Sequence, residues 1–332
     1  MHRIPLFVLG AAAAAVASTT TVAAQTPSCR DASPHREGVV TVAPGVRLRY
    51  LDWGGTGSPL VFLAGLGDTG HEFDAFAPRF TNHHHVYAIT RRGFGASSHP
   101  ASGYDVGTLA HDILVVLDSL RLQRVILIGH SFGGDEMSQF AARWPDRVSG
   151  LIYLDAAQDR TGLAKLWGEM PTPTPPAMTA ADSASPEGVR RYEARVYGVT
   201  LPIGWICTTV RFDSAGRFAG QDTPDSVYTA IISQTLRPPY ERIRAPILAF
   251  YAVQRSARDL YTWYDAMTPP ARAAADSVFD ILHPWELQQI ALLRRSVPSA
   301  HVVVVPGANH YVFISNEAEV ERAMRAFLKG VR

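Results

Sequence analysis

The residues best suited to chemistry in this sequence lie in a glycine-rich turn, GHSFGG at 129–134. An apolar run at 124–129 leads into this turn, and an amphipathic stretch typical of a helix follows it. A serine hydroxyl becomes reactive where a sharp strand-to-helix turn exposes it, and flanking glycines remove the side chains that would clash there. The N-terminus of the helix also presents backbone N–H groups to a developing oxyanion. The pattern therefore predicts a nucleophile at Ser131.

His310 is the side chain best placed to serve as a general base. It follows the apolar run VVVV at 302–305 and a short loop at 307–309, so it lies beyond the carboxyl end of a predicted strand. Catalytic groups of parallel sheets gather at that end. A histidine there can take the serine proton and later return it to a leaving group. We therefore predict that Ser131 and His310 act together in acyl transfer to water.

These two residues must be positioned by alternating strands and helices, which predict a mostly parallel sheet covered on both faces. The predicted strands are 46–53, 59–64, 86–90, 124–129, 148–154, 246–253 and 301–305. The predicted helices are 105–120, 132–143, 285–295 and 317–329. Between them, the stretch 158–243 has a proline cluster and short helix-like pieces, and it is too long for a plain loop. We predict that this stretch is an inserted cap.

On these motifs the sequence resembles the α/β-hydrolase fold superfamily, from about Val39 to the C-terminus apart from the cap. GHSFGG matches the family's nucleophile elbow, RGFGAS at 92–97 resembles its arginine–glycine loop, and GANH at 307–310 matches the position of its catalytic histidine. The resemblance implies an α/β fold with a mostly parallel central sheet, helices on both faces and a helical cap. The cap would be inserted after the strand that ends at Asp155.

The resemblance also implies an oxyanion hole made of two backbone N–H groups. We assign one to Phe132, the residue after the nucleophile, and the other to Leu66 in the loop AGLG at 64–67. Relatives often carry a histidine where Ala64 stands. The hole uses backbone atoms, so the substitution removes a side chain that often supports the loop without removing the hole itself.

The triad acid is the position at which the sequence departs from the family. Relatives usually carry it in a Gly-x-x-Asp turn after the strand at 246–253, where this chain reads QRSARD at 254–259. Asp155 follows the strand at 148–154 and occupies the alternative position used by some relatives, including certain haloalkane dehalogenases and lipases. We predict that Asp155 orients His310 and stabilises the imidazolium, with Asp259 as the alternative acid.

Composition and the remaining motifs limit the partners of the chain. The 332 residues include 31 Lys+Arg and 30 Asp+Glu, a net charge of +1 that argues against nucleic acid. The sequence contains no phosphate loop and no dinucleotide fingerprint, so we expect no cofactor. Adjacent residues point in different directions, so HHH at 83–85 makes a poor ligand set and we expect no metal. The expected partner is a small-molecule substrate, and the sequence leaves the oligomeric state open.

The N-terminus predicts export. A positive start at 1–3, an apolar run at 4–17 and small residues at 22–24 have the layout of a secretory signal peptide. The run is shorter than the roughly 20 residues that a spanning helix needs. We therefore expect cleavage near Ala24–Gln25, no stable membrane insertion afterwards, and a secreted or periplasmic protein. The predicted division is a signal peptide (1–24), a core (25–157), a cap (158–243) and the rest of the core (244–332).

Export would also decide whether the two cysteines, Cys29 and Cys207, meet oxidising conditions. In an oxidising compartment they could form a disulfide between the N-terminal segment and the middle of the chain. They could equally stay unpaired, because sequence alone does not show whether their Cα atoms approach. Both possibilities stay open at this point.

Together these features predict a secreted, carboxylesterase-like serine hydrolase of small ester or related acyl substrates. Serine at the elbow counts against the dehalogenase and epoxide-hydrolase branches of the family, which use aspartate there. One alternative is a capped aminopeptidase of prolyl-iminopeptidase type, which an acidic cap surface for a free amino terminus would favour. The other is a non-catalytic binding protein on a hydrolase scaffold, which Ala64 and the missing acid turn would favour.

Overall fold

The computed structural model describes Cys29, Asp31 and residues 33–331, so the predicted signal peptide at 1–24 lies outside the described residues. The strands are β1 Arg36–Ala43, β2 Val46–Gly54, β3 Pro59–Leu63, β4 His85–Thr90, β5 Val125–His130, β6 Val148–Leu154, β7 Val210–Phe212, β8 Phe218–Gln221, β9 Ile247–Val253 and β10 His301–Pro306. The α-helices are α1 Val106–Ser119, α2 Gly133–Arg143, α3 Leu163–Glu169, α4 Ala180–Ser183, α5 Pro186–Tyr197, α6 Ile203–Thr209, α7 Asp225–Ile232, α8 Ala257–Leu260, α9 Pro269–Ser296, α10 Val312–Ser315 and α11 Glu317–Gly330. Among the described residues, no helix is both long and apolar enough to cross a membrane.

Eight of the strands form one sheet in the order β1-β2-β4-β3-β5-β6-β9-β10. β2 is antiparallel to both of its neighbours, whereas the strands from β4 to β10 in this order run parallel. The predicted mostly parallel α/β sheet is confirmed. His130 at the end of β5 pairs with Leu154 at the end of β6. The residues that follow, 131 and 155, therefore leave the sheet side by side.

Helices cover both faces of the sheet because its central strands are apolar on both sides. Every residue of β5 is buried. Ile126 and Ile128 belong to a core cluster that includes Met324 of α11. Leu127 belongs to a second cluster that includes Ile113 of α1. The alternation of side chains along one strand thus joins two cores, one on each face of the sheet.

The predicted strands match the observed ones to within one residue at each end, but two elements differ from the prediction. β1 is not predicted, because it is an edge strand in which only Val40 and Val42 are buried. The predicted helix at 285–295 is the last part of α9, which extends over 28 residues and contains Pro284. Proline lacks a backbone N–H and usually marks a helix boundary, so the sequence favours a shorter helix.

The chain between β6 and β9 contains α3 to α7 and the antiparallel β7–β8 hairpin. These elements fall within the segment predicted as the cap. Trp205 and Ile206 of α6 pack into a core cluster that includes residues of the main sheet. Val227 and Ile231 of α7 pack in a cluster with Phe132. The segment therefore contacts the core immediately beside Ser131.

A disulfide joins Cys29 to Cys207 in α6, with the Cα atoms 5.4 Å apart and a sequence separation of 178 residues. Sequence spacing leaves the Cys29–Cys207 pairing open, whereas the structure contains the disulfide. The bond fastens the segment before β1 to the inserted helices. Two parts of the chain that are distant in sequence are thereby held together.

Candidate active site

Ser131 lies at a sharp turn between β5 and α2. Its φ is 49°, in the left-handed region that non-glycine residues rarely adopt, and such strain is concentrated at functional sites. The turn is possible because backbones approach each other closely around it. A Cβ on Gly133 would lie 2.4 Å from the carbonyl oxygen of Leu63, and one on Gly134 would lie 2.1 Å from that of Ala156. The two glycines therefore allow α2 to start against β3 and the end of β6.

His310 and Asp155 are in direct contact. Nδ1 of His310 lies 2.6 Å from Oδ2 of Asp155, while Oδ1 of Asp155 accepts the backbone N–H of Ala252 at 3.1 Å. The Asp155 side chain is 7% exposed and that of His310 is 44% exposed. Asp155, like Ser131, has a φ of 49°. A buried carboxylate thus fixes one ring nitrogen of His310, which leaves Nε2 as the nitrogen able to receive a proton.

Asp259, the alternative acid, has a different partner. Its carboxylate accepts the backbone N–H of Arg255 at 2.8 Å and guanidinium N–H groups of the same residue at 3.0 and 3.1 Å. These hydrogen bonds from Arg255 lower the pKa of Asp259. The structure therefore places Asp155, and not Asp259, against His310.

Ser131, His310 and Asp155 line one cavity of about 320 Å³, and Leu66 lies in the same wall. Much of the remaining wall is aromatic, with side chains from the inserted segment, from α9 and from the loop beside His310: Trp167, Tyr197, Trp205, Tyr228, Trp285 and Tyr311. The volume suits a small ligand. The cavity therefore brings the nucleophile and base candidates to one enclosed space.

The two oxyanion-hole candidates differ in where their side chains lie. Leu66 contributes to the cavity wall, whereas the Phe132 side chain is buried beneath it under the guanidinium of Arg91. Only the backbone N–H of each residue matters for an oxyanion hole. In the part of the chain that the structure describes, neither N–H donates to a protein acceptor. Neither donor is therefore committed to another part of the described chain.

Arg91 supports the loop that carries Leu66, a role that sequence reasoning missed. Its guanidinium donates to the carbonyl oxygens of Ala64 at 2.6 Å and Gly65 at 2.8 Å. The same guanidinium contacts both carboxylate oxygens of Glu136, at 2.5 and 3.0 Å. All of these groups are buried. The support that a histidine at position 64 often gives is supplied here by an arginine from the end of β4.

A second buried group fixes the other side of this loop. Oε1 of Glu72 accepts the backbone N–H of Gly65 at 3.0 Å, and Oε2 lies 2.9 Å from Nδ1 of His130. Burial raises the pKa of Glu72 to about 8. Burial, with the nearby His310, lowers the pKa of His130 to about 3. The residue before Ser131 is therefore a neutral histidine that holds Glu72 against the loop.

The acidic pair at the start of α2 has separate partners. Glu136 pairs with Arg91, whereas Asp135 forms a close ion pair with Arg160. Arg92, in the arginine–glycine loop, pairs instead with Asp112 at 2.6 Å. The sequence shows the acids DE at 135–136 in the first turn of a predicted helix, but it does not show which arginine meets which acid.

The cavity is acidic. Among its described lining residues are five carboxylates and no lysine or arginine; the acids are Asp68, Asp155, Asp225, Asp259 and Glu286. Burial raises the pKa of Asp68 to about 8 and that of Glu286 to about 9. Asp68 accepts hydrogen bonds from Trp205 at 2.6 Å and Tyr311 at 3.1 Å. A carboxylate ligand would find no cationic side chain in this wall.

Comparison with known proteins agrees with this geometry. The family model for the α/β-hydrolase fold matches residues 58–189, which include the Leu66 loop and the Ser131 turn. The crystal structure of E-2-(acetamidomethylene)succinate hydrolase superposes with a TM-score of 0.64 at 19% identity, covering 89% of this chain and 99% of that one. The chain has the α/β-hydrolase fold, and residues 58–189 match the model of that family.

The curated proteins that this chain resembles have varied chemistry. The 2-(acetamidomethylene)succinate hydrolase of Mesorhizobium japonicum is 27% identical over 276 residues, 82% of this chain and 87% of that protein. The bifunctional esterase/perhydrolase of Acinetobacter calcoaceticus is 34% identical over 122 residues, 36% of this chain and 44% of that protein. The chain spans less than half the length of several curated relatives that it matches. These relatives support a hydrolase.

Proposed function

We propose that this α/β-hydrolase cleaves a small ester or related acyl substrate through a Ser131–His310–Asp155 triad. One observation carries the proposal: the strained Ser131 turn and the Asp155-bound His310 line the same cavity. Nucleophile, base and orienting acid are the three parts that covalent acyl transfer needs. The esterase relative gives independent support for ester chemistry.

In the proposed reaction, Oγ of Ser131 attacks the substrate carbonyl carbon while Nε2 of His310 takes the hydroxyl proton. The resulting oxyanion accepts hydrogen bonds from the backbone N–H groups of Leu66 and Phe132. Collapse breaks the bond to the leaving group, which receives the proton from His310, and leaves an acyl-Ser131 ester. Water then attacks that ester with His310 again as base, which releases the acid and restores the serine.

We propose that the acyl substrate is uncharged or cationic. The cavity wall has five carboxyl groups and no lysine or arginine among the described lining residues. Nothing in this wall would balance the charge of a carboxylate ligand, whereas its aromatic faces suit a neutral or positive group. Asp68 and Glu286, with pKa values raised to about 8 and about 9, add little negative charge at neutral pH. By its printed name, the Mesorhizobium relative hydrolyses a substituted succinate. This chain would therefore act on a different substrate class from that relative.

The same acidic wall favours a second candidate, the capped aminopeptidase. Asp225 is an exposed lining residue whose carboxylate could bind a protonated substrate amine. The peptidase reaction would use the same triad and oxyanion hole, so only the substrate differs. Amino-acid arylamides therefore belong beside esters in the first assays.

Secretion is part of the proposal. The N-terminal charge, apolar run and small-residue site support a signal peptide. The Cys29–Cys207 disulfide adds a second argument, because disulfides persist chiefly in oxidising compartments. Recovery of a chain that begins near Gln25 from the periplasm or medium would test this.

Hydrolysis of a p-nitrophenyl acyl series, beside amino-acid p-nitroanilides, tests the proposed activity. We expect turnover of uncharged short-chain esters, loss of turnover in Ser131→Ala, and normal activity in Ser233→Ala, which changes an exposed serine. Monoesters of dicarboxylic acids should be poorer substrates than neutral esters of equal length. Turnover of p-nitroanilides alone would favour the aminopeptidase. Ligand binding without any turnover would favour the non-catalytic binding protein.

A further inference from the structure

Four side chains outside the active-site cavity converge where the segment before β1 meets the 3-10 turn Gly70–Phe73. They are two aspartates and two histidines, Asp31, His35, His71 and Asp74, and their ligand atoms all lie within 4.8 Å of one another. Nδ1 of His71 is 2.9 Å from Oδ2 of Asp74 and 3.2 Å from Oδ2 of Asp31. Nδ1 of His35 is 3.6 Å from Oδ2 of Asp31 and 3.8 Å from Oδ1 of Asp74.

These separations suit one tetrahedral metal ion. Bonds of about 2.0–2.2 Å from zinc to nitrogen and oxygen put neighbouring ligand atoms roughly 3.3–3.5 Å apart. The four observed distances lie on both sides of that value. The two longer distances, from His35, exceed hydrogen-bond length.

Several of the converging atoms are buried without a partner. Among the described residues, Nδ1 of His35, Oδ2 of Asp31 and Oδ1 of Asp74 have no hydrogen-bond partner. The His35 side chain is 6% exposed and the Asp74 side chain is 4% exposed. Leaving such groups unsatisfied is costly, and a cation bonded to all of them would remove that cost.

The space over the cluster is kept open by a glycine of the inserted segment. A Cβ on Gly204 of α6 would lie 2.6 Å from Oδ2 of Asp74, 2.7 Å from Nδ1 of His71 and 2.9 Å from Oδ2 of Asp31. Any larger residue there would intrude on three of the ligand atoms. The glycine thus leaves room beside the point at which they meet.

Neighbouring groups orient two of these side chains. The backbone N–H of Ser33 donates to Oδ1 of Asp31 at 2.8 Å, which leaves Oδ2 of Asp31 to face the cluster. Nε2 of His35 faces Oε1 of Glu37 at 3.9 Å, so a carboxylate stands behind that ring. Histidine ligands of metals commonly donate their second ring N–H to a carboxylate, and at 3.9 Å Glu37 lies near His35 without forming that hydrogen bond.

We propose that Asp31, His35, His71 and Asp74 bind one divalent transition-metal ion, of which Zn²⁺ fits best. Two imidazole nitrogens and two carboxylate oxygens are a tetrahedral donor set for zinc, whereas Ca²⁺ and Mg²⁺ take oxygen ligands. With neutral histidines the ligands carry a charge of −2, which balances the ion. Four protein ligands leave no open position, so the ion is structural.

The site would bind the segment before β1 to the core. Asp31 and His35 come from that segment, whereas His71 and Asp74 come from the chain after β3. The Cys29–Cys207 disulfide joins the same segment to α6, the helix that contains Gly204. Metal and disulfide would therefore fix one segment at two neighbouring points.

Metal analysis and unfolding of the full chain test this proposal. After dialysis in metal-free buffer we expect about one zinc per chain by elemental analysis. Chelation should lower Tm by about 5 °C or more, and added Zn²⁺ should restore it. Replacement by Co²⁺ should give the visible absorption of a tetrahedral cobalt site. Less than about 0.1 zinc per chain, with a Tm that neither chelator nor zinc changes, would show a metal-free ion-pair cluster and overturn the proposal.

Substitutions locate the metal. Asp31→Asn and His71→Gln should each lose most of the zinc. Two ligand variants are made so that the test still works if one of them does not fold. His85→Gln is the matched control, because His85 also meets an aspartate, Asp52, at 2.8 Å but forms no cluster. Its zinc content should equal that of the unaltered chain. Full zinc content in folded Asp31→Asn and His71→Gln would place the metal elsewhere.

Discussion

Single residues at the site are distinguished by the atoms that they face. Asp155 and Asp259 both line the cavity, but the first contacts His310 and the second contacts Arg255. A carboxylate orients the catalytic histidine only if it reaches the ring nitrogen that does not face the nucleophile. The triad acid is therefore assigned by its contact with His310, and not by its position along the chain.

Substitution of the two aspartates gives opposite expectations. Asp155→Asn should lower kcat by about 10²–10⁴-fold, because the amide no longer fixes the ring or stabilises the imidazolium. Asp259→Asn is the control and should stay within about 2-fold of the unaltered enzyme in kcat, since its partner is Arg255. Steady-state kinetics on one p-nitrophenyl ester measures both. A larger loss in Asp259→Asn than in Asp155→Asn would contradict the assignment.

Arg91 is a positioning residue with effects on both stability and turnover. Arg91→Met leaves the Glu136 charge buried and unpaired, so the unfolding free energy should fall by about 3–5 kcal/mol. It also releases the carbonyls of Ala64 and Gly65, so kcat should fall by about 10–100-fold with little change in KM. Adding Glu136→Gln should restore most of the stability and little of kcat.

A second buried ion pair separates these two effects. Arg92 and Asp112 are buried like Arg91 and Glu136, but the guanidinium of Arg92 does not contact the Leu66 loop. Arg92→Met should therefore lose stability to a similar extent while kcat of the folded fraction is preserved. If kcat recovers together with stability in the Arg91→Met/Glu136→Gln variant, the proposal that Arg91 supports the Leu66 loop is wrong.

At the scale of elements, the site depends on backbones in contact. β3, β5 and β6 are neighbours in the sheet, and α2 begins against the ends of β3 and β6. Leu63 is the last residue of β3 and the Leu66 loop follows directly. A change in the spacing between α2 and β3 must therefore move the nucleophile relative to the oxyanion-hole loop.

Gly133→Ala tests this spacing. The new Cβ would lie 2.4 Å from the carbonyl oxygen of Leu63, which belongs to the backbone and cannot turn away. We expect a loss of about 1–3 kcal/mol in urea unfolding, with a lower kcat. Gly168→Ala in α3 is the control, because nothing lies within 4 Å of its added methyl group. A Gly133→Ala variant as stable and active as the Gly168→Ala variant would refute the argument.

Elements with a strong local pattern were predictable from the sequence, and long-range pairings were not. The apolar run of β5 and the GHSFGG turn identify the strand, the helix start and the turn that holds Ser131 without any tertiary information. β1 has too few buried residues to give an apolar strand pattern. Pro284 predicts a helix boundary, so the sequence favours a helix shorter than α9. The Arg91–Glu136 pair spans 45 positions, a distance at which sequence spacing carries no signal.

At the scale of the whole molecule, buried carboxyl groups control the response to pH. Burial raises the pKa of Glu193 to about 8, as it does for Asp68 and Glu72, and that of Glu286 to about 9. In the unfolded chain the same groups titrate near 3.8 to 4.5. The folded chain therefore binds more protons than the unfolded chain up to about pH 8 to 9.

The unfolding free energy should accordingly fall as pH rises from about 6.5 to 8.5. Buried neutral His130 has the opposite effect, but only below its ordinary pKa of 6.5, whereas the raised pKa of His71 acts in the same direction as the carboxyl groups. Glu193→Gln, away from the cavity, should make the fall less steep, and exposed Glu241→Gln should not. Urea unfolding at constant salt measures the slope. A free energy that rises over this window would contradict the raised pKa values.

The arrangement of the N-terminal segment also belongs to this scale. Cys29 pairs with Cys207, and Asp31 and His35 meet His71 and Asp74, although none of these sets is close in sequence. Sequence analysis left the disulfide open and expected no metal because HHH at 83–85 makes a poor ligand set. Ligand spacing in a sequence is informative only within one turn or loop, so it gives no signal for this cluster. The folded chain brings these residues together because the segment before β1 lies against the 3-10 turn Gly70–Phe73 and α6.

Covalent labelling of the folded chain tests the central claim, that Ser131 is the activated nucleophile, most directly. A fluorophosphonate reacts with an activated serine by loss of fluoride and formation of an Oγ–P bond. We predict one added phosphonyl group per chain by intact mass, located on Ser131 by peptide mapping, and none in Ser131→Ala or after unfolding. A folded, unlabelled chain, or a label on another residue, would contradict the account.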